Sequence, residues 1–154
     1  MNISEIITDF IQVCKLAKVE MSISDIVIET LNAGEEHSPK KLPQGKMAIY
    51  IFTDNTGKCY KVGKAGANSN ARYQSQHYNP QSAKSNLAKS LMNDYELNND
   101  NLIQTDVSSW IKKNTSRVNL LIDGNKGIFI LNLLEAFIQN RLNPKYEGHK
   151  SQRL

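Results

Sequence analysis

Tyr50, Lys61, Arg72, His77 and Glu135 are the side chains of this sequence whose types and spacing could share a reaction. A phenol next to an ammonium is a latent base, because a free tyrosine ionises near ~10 and a positive neighbour favours the phenolate. An arginine offers a planar fork of donors that fits phosphate oxygens. A carboxylate set in an apolar helix must be paired, protonated or metal-bound, since an isolated buried charge is expensive. Plainer readings stand beside these: Tyr50 as a core aromatic, Lys61 as an edge-strand solubiliser, Glu135 as half of a salt bridge.

The elements that would position these groups can be read from apolar periodicity. Met47 to Phe52 is apolar and β-prone throughout, Asp54 to Gly57 supplies turn chemistry, and Lys58 to Gly63 returns as a second strand. A four-residue loop pairing Thr53 with Lys58 sets Tyr50 across from Lys61, and a three-residue loop with Gly57 as a bulge sets it across from Val62. Asn68-Ser69-Asn70 can cap a helix carrying Arg72 and His77, with Asn79-Pro80 ending it. A further helix follows, with Leu87, Leu91, Met92 and Tyr95 inward and Lys84 and Lys89 outward. Glu96 to Thr105 reads as loop, Asp106 as the cap of a short helix with Trp110, and Arg117 to Ile122 as a third strand. Ile128 to Leu142 is apolar around most of its circumference, with Asn132, Glu135 and Gln139 as one polar stripe.

Ahead of this lies a different segment. Residues 2 to 18 carry Ile3, Ile6, Ile7, Phe10, Ile11 and Cys14 at helical spacing, and residues 23 to 33 repeat the pattern with Ile23, Ile26, Val27 and Leu31. Glu35 to Gln44, with Pro39 and Pro43, reads as a linker. The expected organisation is an acidic helical extension and linker over 1–44, then one α+β domain over 45–154 with a small three-stranded antiparallel sheet flanked by helices.

At 154 residues and 40% hydrophobic content the chain can bury a real core. Cys14 and Cys59 have neither disulfide-framework nor zinc spacing. No apolar run approaches the roughly 18 to 20 residues of a membrane span, and no signal-peptide pattern opens the chain, so a cytoplasmic protein is expected. The net charge of +4 is unevenly spread. Seven acids and two lysines lie between Met1 and Glu36, whereas Asn55 to Asn93 holds Lys58, Lys61, Lys64, Arg72, Lys84 and Lys89 with no acid. An uninterrupted basic stretch suits a polyphosphate, and the interleaved Asn and Gln side chains can bond phosphates or base edges. Lys64, Lys84 and Lys89 are the expected backbone contacts, with a solvated surface lacking acids as the plainer alternative.

Ala48-Ile49-Tyr50, followed by Lys61-Val62-Gly63-Lys64-Ala65, resembles the paired motif of the GIY-YIG nuclease superfamily. Arg72 on the next helix and Glu135 on a later one fall where the family's arginine and glutamate belong, and Leu134-Glu135-Ala136-Phe137-Ile138 running to Pro144 is similar to its closing segment. The likeness covers about Gly45 to Glu147. Ala48 stands where glycine is usual, and Lys61 where the second tyrosine is usual, as in some restriction enzymes of the family. Tyr60 is one residue out of register. His77 follows Arg72 by five residues, with Gln76 at the family's spacing of four, and Glu147 stands where an asparagine is common.

The resemblance implies a metal-dependent endonuclease. Tyr50 would take a proton from water with Lys61 beside it, Arg72 would hold the scissile phosphate, and His77 would bond the phosphate or orient Tyr50. Glu135 would carry one Mg²⁺ or similar ion such as Mn²⁺. Double-stranded DNA is the expected substrate, with 5′-phosphate and 3′-hydroxyl products. Pairing of two copies through the N-terminal helices would supply a double-strand cutter's two sites. The alternative is a nucleic-acid-binding module with this fold that has lost cleavage.

Overall fold

The computed structural model describes residues 1–34, 37–38, 40–83, 86–97 and 100–146. Lys84 and Glu147 lie outside them. The fold is α+β, built on an antiparallel sheet of four strands in the order β1-β4-β2-β3. The strands are β1 (Ile26–Leu31), β2 (Lys46–Asp54), β3 (Cys59–Ala65) and β4 (Thr115–Asp123). The helices are α1 (Ile3–Leu16), α2 (Asn70–Gln74), α3 (Leu87–Met92), α4 (Asn101–Asn114) and α5 (Ile128–Leu142).

The expected three strands become four because residues 23–33 are not a helix. Ile23–Asp25 forms a short 3-10 turn and Ile26–Leu31 pairs along β4, from Ile26 opposite Ile122 to Leu31 opposite Arg117. The β-branched run Ile26-Val27-Ile28 decides the matter: edge pairing accommodates it better than a helix does.

Antiparallel alternation sends side chains to two cores. On one face Ile49, Ile51, Val62, Val118, Leu120 and Ile122 meet α1 and α5. Asn2 caps α1 by accepting from the Glu5 N–H, its buried Phe10 packs 5.7 Å from Phe137 of α5, and Arg141 pairs with Glu5 and Asp9. On the other face Ala48, Tyr50, Phe52 and Leu121 meet α2, α3 and α4. Asp106 breaks α4 and caps its second half through the Ser109 N–H, the expected role, while the helix already begins at Asn101. Two inward expectations fail: Tyr95 is 85% exposed and Phe129, at the start of α5, 84%.

β3 is an edge strand whose outer side is partly covered. The N–H groups of Lys145 and Tyr146 donate to the carbonyls of Cys59 and Tyr60 at 3.0 and 2.8 Å.

Candidate active site

The hairpin register differs from both expectations. Tyr50 lies opposite Gly63, and Lys61 opposite Phe52. The loop from Thr53 to Cys59 is longer than four residues because Asp54 Oδ1 gathers the N–H groups of Thr56 and Lys58 and the Thr56 hydroxyl. Tyr60 is then an unpaired extra residue between Cys59 and Lys61, a bulge that advances the register once more. The expected direct facing of Tyr50 and Lys61 is thereby corrected, although both remain on one face of the sheet.

Gly63 matters for what it lacks. A Cβ there would sit 2.6 Å from Tyr50 Cε2 and 2.7 Å from its hydroxyl, so the phenol ring lies across the bare backbone of β3. The hydroxyl thus reaches the sheet's outer edge, where it donates to the Lys64 carbonyl at 3.3 Å. Arg72 Nε donates to the same carbonyl at 3.0 Å. Lys64 follows Gly63 in the strand, so its side chain leaves from the opposite face, and its Nζ pairs with Glu135 Oε2 of α5 at 2.5 Å. Tyr50 and Arg72 therefore meet at the Lys64 carbonyl, and Glu135 reaches the ammonium of the same residue from the other face. Lys64, expected only as a backbone-phosphate contact, is their common anchor.

His77, in the 3-10 turn Gln76–Tyr78, places Nε2 2.7 Å from the Tyr50 hydroxyl. Its Nδ1 accepts the Leu87 N–H at 3.3 Å, so in the neutral ring the proton must sit on Nε2. Burial, reinforced by the charges of Lys61, Arg117 and Arg72, holds this imidazole well below its ordinary pKa and hence neutral. The chain of bonds therefore has a direction: Leu87 to His77, His77 to the Tyr50 oxygen, Tyr50 to the Lys64 carbonyl.

Burial pushes the Tyr50 phenol up to about 12, although the positive charges of Arg72 and Arg117 oppose it. Lys61 is itself buried, and its Nζ donates to the Tyr146 carbonyl at 3.1 Å. Lys89 is exposed on α3 and takes no part in the cluster. Among the described residues no three His, Cys, Asp or Glu side chains are grouped as a metal cage.

The site residue that the sequence reading left unmarked is Arg117. It was placed in a strand and given no role, yet it is wholly buried under Tyr50. The available signal was Arg117 and Asn119 two apart within an otherwise apolar strand, a polar pair on one face. A cavity of about 690 Å³ lies away from the β3 edge, between Gln74–Pro80 and the first half of α4. Among the described residues no helix is long and apolar enough to cross a membrane. No protein family, curated protein or solved structure matches the chain.

Proposed function

We propose that this chain is a phosphodiester-cleaving endonuclease with a GIY-YIG-like site, acting on double-stranded DNA. The observation that carries the reading is the meeting of Tyr50, Arg72 and Glu135, remote in sequence, around Lys64 at one sheet edge.

The phosphate is bound by the half-buried Arg72 guanidinium, whose charge offsets the negative charge growing on the phosphoryl oxygens. Tyr50, once its own proton has been lost to solvent, accepts the proton of the attacking water as a phenolate. The tautomer of His77 supports that role: its Nε2–H already points at the phenol oxygen, so the phenolate has a donor in place. Because the free phenol ionises at about 12, its loss of a proton depends on added positive charge at the site.

Glu135 fits a hard divalent cation that takes one protein carboxylate and completes its shell with water and phosphate oxygens. Its side chain is 16% exposed. Its Oε2 carries the Lys64 ammonium, which a metal ion at this carboxylate would displace or share. Glu135 would hold Mg²⁺ or Mn²⁺, which would supply Lewis-acid stabilisation of the departing oxygen.

One observation favours the second reading, a nucleic-acid-binding module without cleavage: the Lys64–Glu135 pair is closed, so the carboxylate already has a counter-ion. Incubating supercoiled plasmid with the protein, with and without Mg²⁺, separates the two. The nuclease reading expects metal-dependent nicking that a folded Glu135→Ala variant loses. Retardation without nicking, insensitive to metal, supports the module instead.

A further inference from the structure

Arg117 is wholly buried among the rings beneath the site. Its guanidinium carbon lies 4.9 Å from the ring centre of Tyr73, 5.0 Å from that of Tyr50 and 5.2 Å from that of Phe52. Nε donates to Asn119 Oδ1 at 2.7 Å, one terminal nitrogen to the Tyr73 carbonyl at 2.7 Å and the other to the Tyr78 hydroxyl at 3.3 Å. Among the described residues no carboxylate forms an ion pair with it. Glu29, on the same face of the sheet opposite Asn119, instead takes the Tyr73 hydroxyl at 2.9 Å.

A buried cation with no counter-ion is costly, and three ring faces and three hydrogen bonds offset only part of that cost. What remains is a positive charge in a low-dielectric interior, with no anion of its own. Its bonds are to Tyr73 and Tyr78, the residues that directly follow Arg72 and His77 in the chain. They tie the Arg72–His77 segment to the strand beside Tyr50.

We infer that Arg117 is the positioning residue of this site, an internal cation that locks the Arg72–His77 segment onto the sheet and holds the floor beneath Tyr50 positive for an arriving phosphodiester anion. The inference rests on the nuclease reading for its ligand, but the locking and the charge do not. The groups facing His77 are Tyr50 from β2, Lys61 from β3, Arg72 from α2, Arg117 from β4 and the Leu87 N–H from α3. Three of them are cations, and Lys61 and Arg117 are both buried.

The test compares the full chain with Arg117→Lys and Arg117→Met. Imidazole NMR follows His77 from about pH 4 to pH 8 without nucleic acid, and plasmid nicking is measured in parallel. In the parent chain His77 is neutral, with its proton on Nε2, down to its depressed midpoint. Arg117→Met should move the His77 midpoint upward and slow nicking by about tenfold or more. Arg117→Lys should restore the midpoint and recover nicking only in part, since one ammonium cannot bond Asn119, Tyr73 and Tyr78 together. If Arg117 were mere core filling, the apolar Met variant would behave as the parent and Lys would be the damaging change. That order, or an unmoved midpoint in a folded Met variant, overturns the inference. Should Met prevent folding, Arg117→Gln takes its place in the same comparison. A parent chain that never nicks defeats the nuclease reading, while the NMR comparison still decides what Arg117 does.

Discussion

Adding one methyl group at Gly63 should damage both stability and site. The new Cβ would lie 2.6 Å from Tyr50 Cε2, 2.7 Å from its oxygen and 2.8 Å from Cζ, distances at which the ring or the strand must move. Neither moves cheaply: the ring is fully buried against Phe52, His77 and Arg117, and β3 is held in register by β2. Overpacking of this kind costs roughly 1–3 kcal/mol, which for a domain of this size lowers the thermal midpoint by about 2–4 °C per kcal/mol. Urea titration of Gly63→Ala measures it. Gly66→Ala is the control, since a Cβ there meets nothing closer than Ser69 Oγ at 3.8 Å. The displaced phenol also loses Lys64 and His77, so nicking should fall with stability. A double-mutant cycle makes the cause explicit. In a Tyr50→Leu background the extra methyl should cost little, giving a coupling of about 1–3 kcal/mol. A Gly63→Ala variant with the parent's urea midpoint, or an equal penalty with and without the Tyr50 ring, refutes the reasoning.

Other expectations follow from the same geometry. Because the Tyr50 phenol ionises at about 12, its base form is scarce near neutrality, and nicking should rise roughly tenfold per pH unit from neutral into alkaline pH. A flat profile, or Tyr50→Phe with the parent's rate, contradicts this. Burial depresses His37 to about 4 in the folded chain against 6.5 in the unfolded one, so the unfolded chain binds the extra proton first as pH falls. Stability on the order of 3 kcal/mol is present above pH 6.5 and disappears as pH falls towards 4. Denaturation midpoints in that window should therefore slope less in His37→Phe than in the parent. Glu135→Gln breaks a pair whose lysine side chain is 35% exposed, so its stability cost should stay within about 1 kcal/mol while nicking is lost. A large loss of stability would recast Glu135 as structural.

Much of this arrangement was legible in the sequence. β2, β4 and the core of α5 announce themselves as apolar runs, and Asp106 as a cap. The remainder depended on tertiary choices that one chain does not display. β1 was read as helix because Ile23, Ile26, Val27 and Leu31 satisfy a helical spacing by chance, and an edge strand with one wet side alternates too weakly to correct it. The hairpin register turned on a bulge at Tyr60 and an Asp54-centred loop, neither of which shows in residue types. Tyr50, Arg72 and Glu135 were found, but Lys64 was underrated because its two ends act separately: its carbonyl serves one face of the sheet and its ammonium the other. Exposed Phe129 shows the limit of reading a helix as apolar all round, for its first turn extends beyond the core.

The two margins of the sheet are unequal, and that constrains how the molecule can associate. At one margin Lys145 and Tyr146 already occupy carbonyls at the start of β3, the end away from Lys64. At the other, β1 is paired on one side only among the described residues and presents half-exposed Val27 and Ile28. A strand donated by another polypeptide would find its unfilled ladder there, three strands away from the phenol, so growth of the sheet by recruitment leaves the chemistry undisturbed.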